Sequence, residues 1–164
     1  MSLVRTLHDG WRRFLEALHP VARQKLVELL RAEYVEEAQG AEQFTRHAQR
    51  MYYPEFRERL LRIAAEEQAH VQWLREKIQA LGGSIPDIAF APKIGKNSWE
   101  CRLLDVDEEK RCCNDLLLRM QSAEPADAEI AAGLRRMCED ETRHREEILD
   151  LLRQSGLTSK FLDI

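Results

Sequence analysis

The stretch Leu60-Leu61-Arg62-Ile63-Ala64-Ala65-Glu66-Glu67-Gln68-Ala69-His70-Val71-Gln72-Trp73-Leu74 breaks its own pattern when read as a helix. Steps of three and four residues select Leu60, Ile63, Glu67, His70 and Leu74, then Ile78 and Leu81. Such a stripe faces the core of a helical bundle and should be apolar throughout. Glu67 and His70 stand in the middle of it. The same fault recurs in the C-terminal third, where the stripe reads Leu134, Met137, Glu141, His144, Ile148 and Leu151. Two further stripes carry one carboxylate each. One is Leu30, Tyr34, Glu37, Ala41, Phe44, Ala48 and Met51; the other is Trp99, Leu103, Val106, Glu109, Cys113, Leu116, Met120 and Ala123. Spacing chooses Glu37 over Glu36, and Glu109 over Glu108, because the row through Glu108 would turn Asp115 and Arg119 inward.

Proline and glycine bracket these stripes. Pro20, Pro54, the Gly82-Gly83 pair, Pro86, Pro92, Asn97-Ser98 and Pro125 predict helices over 3–18, 21–51, 54–81, 97–123 and 125–155. The last four run about 27 to 31 residues, or roughly 40–46 Å each. Helices 21–51 and 54–81 are joined almost without a loop, as are 97–123 and 125–155, so each pair is an antiparallel hairpin. Residues 82–96 form a longer link that can span a bundle when extended. Two hairpins and one crossover give an all-α, ferritin-like four-helix bundle. The expected organisation is a single domain over 1–164: an N-terminal amphipathic helix in 1–19, the bundle in 20–155 and a tail in 156–164.

Composition agrees. The chain has 164 residues, 25 Lys and Arg against 29 Asp and Glu, and 44% hydrophobic residues, enough for one core without staples. A net charge of −4 offers no basic footprint for nucleic acid. No apolar run reaches the length of a membrane span, and Met1–Leu18 lacks the continuous apolar stretch of a signal peptide. A cytoplasmic, reducing setting is expected. Cys101, Cys112, Cys113 and Cys138 contain no Cys-x-x-Cys pair, which removes zinc-ribbon, rubredoxin-type and thioredoxin readings. They read as small reduced core residues, although Cys113 lies one turn after Glu109 and Cys138 one turn before Glu141.

A lone Glu-x-x-His is weak evidence, and Glu16-x-x-His19 is a decoy that ends at Pro20. The weight lies in the arrangement: Glu37 precedes Glu67 by 30 residues and Glu109 precedes Glu141 by 32, so the halves repeat each other. Four ionised, unpaired carboxylates in a core would cost several kcal/mol each, of order. No Lys or Arg shares their stripes to compensate. Two divalent cations would cancel the charge and leave both imidazoles neutral. Carboxylate with imidazole and no thiolate suits iron or manganese, and zinc fits the same donors.

Glu37, Glu67-x-x-His70, Glu109 and Glu141-x-x-His144 resemble the ligand set of the ferritin-like di-iron carboxylate proteins, bacterioferritins and rubrerythrins in particular. The similarity runs along 26–151, including Leu61–His70 with Leu81-Gly82-Gly83, Asp105-Val106-Asp107-Glu108-Glu109 and Glu139-Asp140-Glu141. The resemblance implies two iron ions, bridged by Glu67 and Glu141, with Glu37 and Glu109 terminal and one histidine on each ion. It makes Glu66 and Asp140 the acids that orient the histidines across the bundle; Tyr34, one turn before Glu37, is the nearest phenol to the site and reads first as a core aromatic. The departures are specific. Phe44 and Leu116 stand where bacterioferritin-like sites often carry tyrosine. Gln68 replaces the haem-ligating methionine, Cys112 replaces the extra rubrerythrin glutamate, and no rubredoxin cysteines exist.

The expected function is a di-metal oxidoreductase of ferroxidase, peroxidase or oxidase type that reacts with O₂ or peroxide and draws on an unidentified electron donor. Iron storage or detoxification, and a non-enzymatic metal-binding bundle, are the alternatives. Hydroxylation of an organic substrate would also need a cavity beside the metals. The N-terminal stripe of Leu3, Leu7, Trp11, Phe14, Leu15 and Leu18 packs on the bundle or on a second subunit, and a homodimer is expected, with neither nucleic acid nor membrane as partner.

Overall fold

A computed structural model describes residues 20–123 and 127–154. They form α1 (Pro20–Ala48), α2 (Pro54–Ala80), α3 (Ser98–Ala123) and α4 (Ala128–Gln154), with no strand among the described residues. The expected helix in 3–18 and the tail in 156–164 lie outside the described residues. α1 packs along α2 and α3 along α4, while α1 also touches α3 and α2 touches α4. That is the four-helix bundle of two hairpins expected from the short connections.

Each boundary has a local cause. Pro54 sits in the first turn of α2, where its missing N–H costs nothing. Gly82, at φ 76°, closes α2 with its N–H on the Gln79 carbonyl and that of Gly83 on the Ile78 carbonyl, both at 2.8 Å; this is a Schellman stop that favours glycine. Asn97 Oδ1 accepts from the N–H groups of Trp99 and Glu100 at the start of α3. α4 begins at Ala128 rather than 125 because Asp127 Oδ1 accepts from the Glu129 and Ile130 N–H groups, a cap that outranks the proline signal. α1 stops at Ala48, three residues short of expectation. Its last turn tightens there, with Arg50 N–H on the His47 carbonyl.

The crossover is tied at both ends. Arg23 Nε donates to the Leu81 carbonyl at 2.7 Å where the link leaves α2. At the far end Lys93 N–H donates to Gln43 Oε1, and His47 Nε2 donates to the Lys93 carbonyl at 2.8 Å. His47 Nδ1 lies 2.6 Å from Asp105 Oδ1 on α3. A carbonyl only accepts, so Nε2 carries a proton and one further proton is shared between Nδ1 and Oδ1. The latch thus joins α1, α3 and the crossover through His47 and Asp105, two side chains with no exposed surface.

The stripes of α1, α2 and α4 are buried as the spacing predicts. The first half of the α3 stripe is not. Leu103 is 42% exposed, while Cys101, Arg102 and Asp105 face inward. Arg102 is the reason the register turns. Its guanidinium lies 5.2 Å from the Phe56 ring centroid and Nη1 donates to the Leu151 carbonyl at 3.4 Å, so a cation–π contact and a helix-end carbonyl hold the charge.

Gly133 on α4 packs against Trp73 of α2. A Cβ placed there would overlap Cζ2 and Cη2 of Trp73. Alanine gains about 1 kcal/mol over glycine in a helix, but overpacking costs about 1–3 kcal/mol, so the clash wins. Gly133→Ala should therefore lower the urea midpoint, and adding Trp73→Phe, which removes those ring atoms, should restore part of the loss. A midpoint raised by Gly133→Ala alone would contradict this packing.

Candidate metal centre

Halfway along the bundle all four helices present acids inward. Glu37 comes from α1, Glu67 and His70 from α2, Glu109 from α3, and Glu141 and His144 from α4, and all six are buried. The layer separates two apolar clusters. One contains Leu26, Leu30, Leu74, Ile78 and Leu134; the other contains Phe44, Leu60, Ile63, Ile148 and Leu151.

The geometry is that of two overlapping sites. Ligand-type atoms of Glu37, Glu67, His70 and Glu141 lie within 4.8 Å of one another, and so do those of Glu67, Glu109, Glu141 and His144. Glu67 and Glu141 belong to both groups, while each histidine and each remaining glutamate belongs to one. The imidazoles face each other with centroids 6.4 Å apart and planes 28° apart.

Whether a cation fits can be read from polar atoms left without partners. Glu67 Oε1, Glu109 Oε2, Glu141 Oε1 and His144 Nδ1 are fully buried and make no hydrogen bond. His144 Nδ1 lies 2.9 Å from Glu67 Oε1 and 3.8 Å from Glu109 Oε2, close enough to interact but not aligned as donor and acceptor. His70 Nδ1 lies 3.1 Å from Glu37 Oε2 and 3.9 Å from Glu141 Oε1. Orphaned groups that converge in a protein interior call for a missing partner, and four carboxylates call for a positive one.

The other nitrogen of each histidine is tied across the bundle. His144 Nε2 is 2.8 Å from Glu66 Oε2 on α2, and His70 Nε2 is 3.2 Å from Asp140 Oδ2 on α4. With Nε2 of each ring held by these acids, Nδ1 of each ring is the nitrogen that faces the cage. Arg143 Nη2 donates to both acids, at 2.7 Å to Glu66 and 2.6 Å to Asp140. Tyr34, one turn before Glu37, is a core aromatic with a tied hydroxyl. Its hydroxyl accepts from Arg75 Nη2 at 2.8 Å, the guanidinium lies over its ring, and its body belongs to the first apolar cluster.

Spacing missed Glu33. It is fully buried one turn before Glu37 and pairs with Arg119, which also binds Glu36 through both nitrogens. No helical period prefers Glu33 to its neighbour Tyr34; the signal was a cation on another helix. Cys113 and Cys138, distant in sequence, meet with their Sγ atoms 2.9 Å apart.

Protons in the cluster are shared unevenly. Burial, then the charges of Glu67 and Glu141, hold Glu37 well above the ordinary carboxylate range. Burial and Glu141 do the same to Glu109, and burial with the charge of Glu67 raises Glu141 to about 8. Burial opposes ionisation of Glu67 too, but its pairing with His144 overcomes this and holds it below the ordinary value. Burial disfavours the His144 imidazolium, yet Glu67 and Glu66 together raise it to about 9. Without metal the cage therefore favours one ion pair, Glu67 with His144, and disfavours ionisation of Glu37, Glu109 and Glu141.

The sign of the pH effect follows. Glu37, Glu109, Glu141 and His144 all have folded values above their unfolded ones. Their stabilisation is complete below the unfolded values and is lost as pH rises through the folded ones. Glu67 has the opposite sign and acts only in acid. Metal-free protein should thus melt at falling temperature from about pH 6 to pH 9, and saturating divalent metal, which displaces those protons, should flatten the slope. A melting temperature that rises with pH in chelator-treated protein would contradict the assignment.

No family model matches the chain. A curated relative, the 3-demethoxyubiquinol 3-hydroxylase of Paracidovorax citrulli, is 27% identical over 140 residues, covering 79% of this chain and 68% of the relative. A ferritin-like, diiron-carboxylate protein from Bacillus anthracis str. Ames superposes with a TM-score of 0.75 at 24% identity, covering 82% of this chain and 99% of that one. The bacterioferritin of Desulfovibrio desulfuricans, whose structure was solved with its diiron site in different catalytic states, gives 0.76 at 20% identity, covering 87% and 86%. The crossover, the two hairpins and these superpositions agree: the chain has the ferritin-like four-helix fold.

Proposed function

We propose that the chain binds two iron ions in this cage and is an oxidoreductase that uses O₂ or peroxide. One observation carries the reading: two groups of four ligand atoms that share Glu67 and Glu141. A single-ion site would not need both histidines, and a structural ion pair would not leave four buried atoms without hydrogen bonds. The carboxylate and imidazole donors suit iron or manganese.

In this reading Glu67 and Glu141 hold both ions, Glu37 with His70 completes one position, and Glu109 with His144 the other. Two ferrous ions held so closely would supply two electrons to one dioxygen or peroxide molecule. The chain's own work is different. Glu66 and Asp140 keep the Nε2 protons of His144 and His70, so both rings offer Nδ1 inward. The two apolar clusters exclude water from above and below and strengthen every electrostatic interaction between them. Cations that enter would displace protons from the raised groups, Glu141 and His144 among them.

The curated relative's name supports a second reading, hydroxylation of an organic molecule. Oxygen uptake that stays slow until such a molecule is added would select it. Fast uptake by the ferrous protein alone selects the ferroxidase or oxidase reading, and fast reaction with H₂O₂ selects the peroxidase. Storage in a cage would appear as a many-subunit particle on size exclusion, where the expected homodimer is small.

Metal analysis comes first. Wild-type protein should carry about two ions per chain; Glu37→Ala and Glu109→Ala should retain about one, and Glu67→Ala or Glu141→Ala, which strip a shared ligand, less than one. Stopped-flow mixing of ferrous protein with O₂ and H₂O₂ then tests the chemistry. Stoichiometric iron inert to both oxidants would leave a metal-binding bundle in place of an oxidoreductase.

A further inference from the structure

Cys113 on α3 and Cys138 on α4 face each other, Sγ to Sγ at 2.9 Å, inside the van der Waals separation of two sulfurs. Each Sγ also lies against the other's carbonyl oxygen, at 3.8 Å and 3.7 Å. Both residues are half-buried and reduced, and neither Cys101 nor Cys112 has a sulfur partner. Their position matters as much as their contact. Cys113 follows Glu109 by four residues and Cys138 precedes Glu141 by three, about 6 Å and 4.5 Å along their helices.

The metal reading needs an electron source inside the chain's reach. Phe44 and Leu116 occupy the stripe positions seven residues beyond Glu37 and Glu109, and both are buried hydrocarbon. A dithiol, by contrast, releases two electrons at once. We propose that Cys113 and Cys138 form a dithiol–disulfide couple that reduces the oxidised ion pair beside it; this role, though not the couple itself, rests on the di-metal reading. The step balances: two thiols lose two protons and two electrons and form one S–S bond, and two ferric ions take one electron each and become ferrous. A small-molecule thiol of the glutathione type reopens the bond by exchange, its own sulfurs going to disulfide. Burial and the adjacent Cys113 raise the Cys138 thiol to about 12, so little thiolate is available for direct attack on free peroxide. Oxidation through the neighbouring metal does not need that thiolate in advance.

Two arms test this. Metal-free protein is treated with diamide, a thiol-specific oxidant, then alkylated, digested and sequenced by mass spectrometry. A linkage between Cys113 and Cys138 is expected, with Cys101 and Cys112 alkylated, reversal by dithiothreitol, and persistence of the link in Cys112→Ser. No link, or one through Cys112, overturns the couple whatever the protein does with metal. In the second arm, ferric-loaded protein of measured iron content is held anaerobically with a ferrous chelator. Wild type should yield about two ferrous ions and lose two thiols per chain, while the Cys113→Ser, Cys138→Ser double variant, loaded equally, keeps its iron ferric. Equal ferrous yield from the two proteins, or none from loaded wild type, overturns the donor role. A wild type that cannot be loaded overturns the di-metal reading and the donor role together, and a positive first arm would still stand.

Discussion

Four carboxylates at the centre of a helical bundle are the constraint from which the rest of this structure follows. Glu37, Glu67, Glu109 and Glu141 come one from each helix, so the layer exists only if all four helices arrive in register. Hydrophobic burial alone would not choose this arrangement. An apolar side chain in the same place would contribute about 1.5–3 kcal/mol, whereas a buried, unpaired carboxylate costs several. The apolar clusters above and below must outweigh that cost until a cation removes it. If the cage binds cations as proposed, binding and folding stability are one equilibrium in this chain.

Much of this was legible before any coordinates. Helix stripes are periodic, and an acid in a stripe stands out because the pattern predicts what should be there. Glu67, His70, Glu141 and His144 were found in that way, and the choice of Glu37 over Glu36 needed only the spacing. The crossover was legible as well, since Gly82-Gly83, Pro86 and Pro92 leave no room for a fifth bundle helix between residues 82 and 96.

What escaped the pattern has a common physical character. Arg102 is buried although arginine is a surface residue by composition, because Phe56, on another helix, and the Leu151 carbonyl, on a third, receive it. His47 and Asp105 form a buried pair 58 residues apart. Glu33 needs Arg119, and Cys113 needs Cys138. Each depends on two helices at once, and periodicity within one helix carries no information about its partner's side chain. α3 suffers most. Its inward face is shared among an arginine, two acids and a cysteine, so its apolar stripe is weak and spacing alone misplaces Leu103.

The two acids that precede the Glu-x-x-His motifs show why the register cannot slip. Glu66 sits one residue before Glu67 on its own helix but serves His144 on the opposite helix, and Asp140 serves His70 in return. A slip of one residue between α2 and α4 would break both ties at once and turn Glu67 or Glu141 out of the cage. Arg143, bonded to both acids, offsets part of their charge on the side away from the cage and makes the two ties one unit. Each histidine is thereby fixed in ring orientation and tautomer by the helix that carries the other. The cage is thus preorganised by hydrogen bonds outside it, and the orphaned atoms inside it are left for a cation.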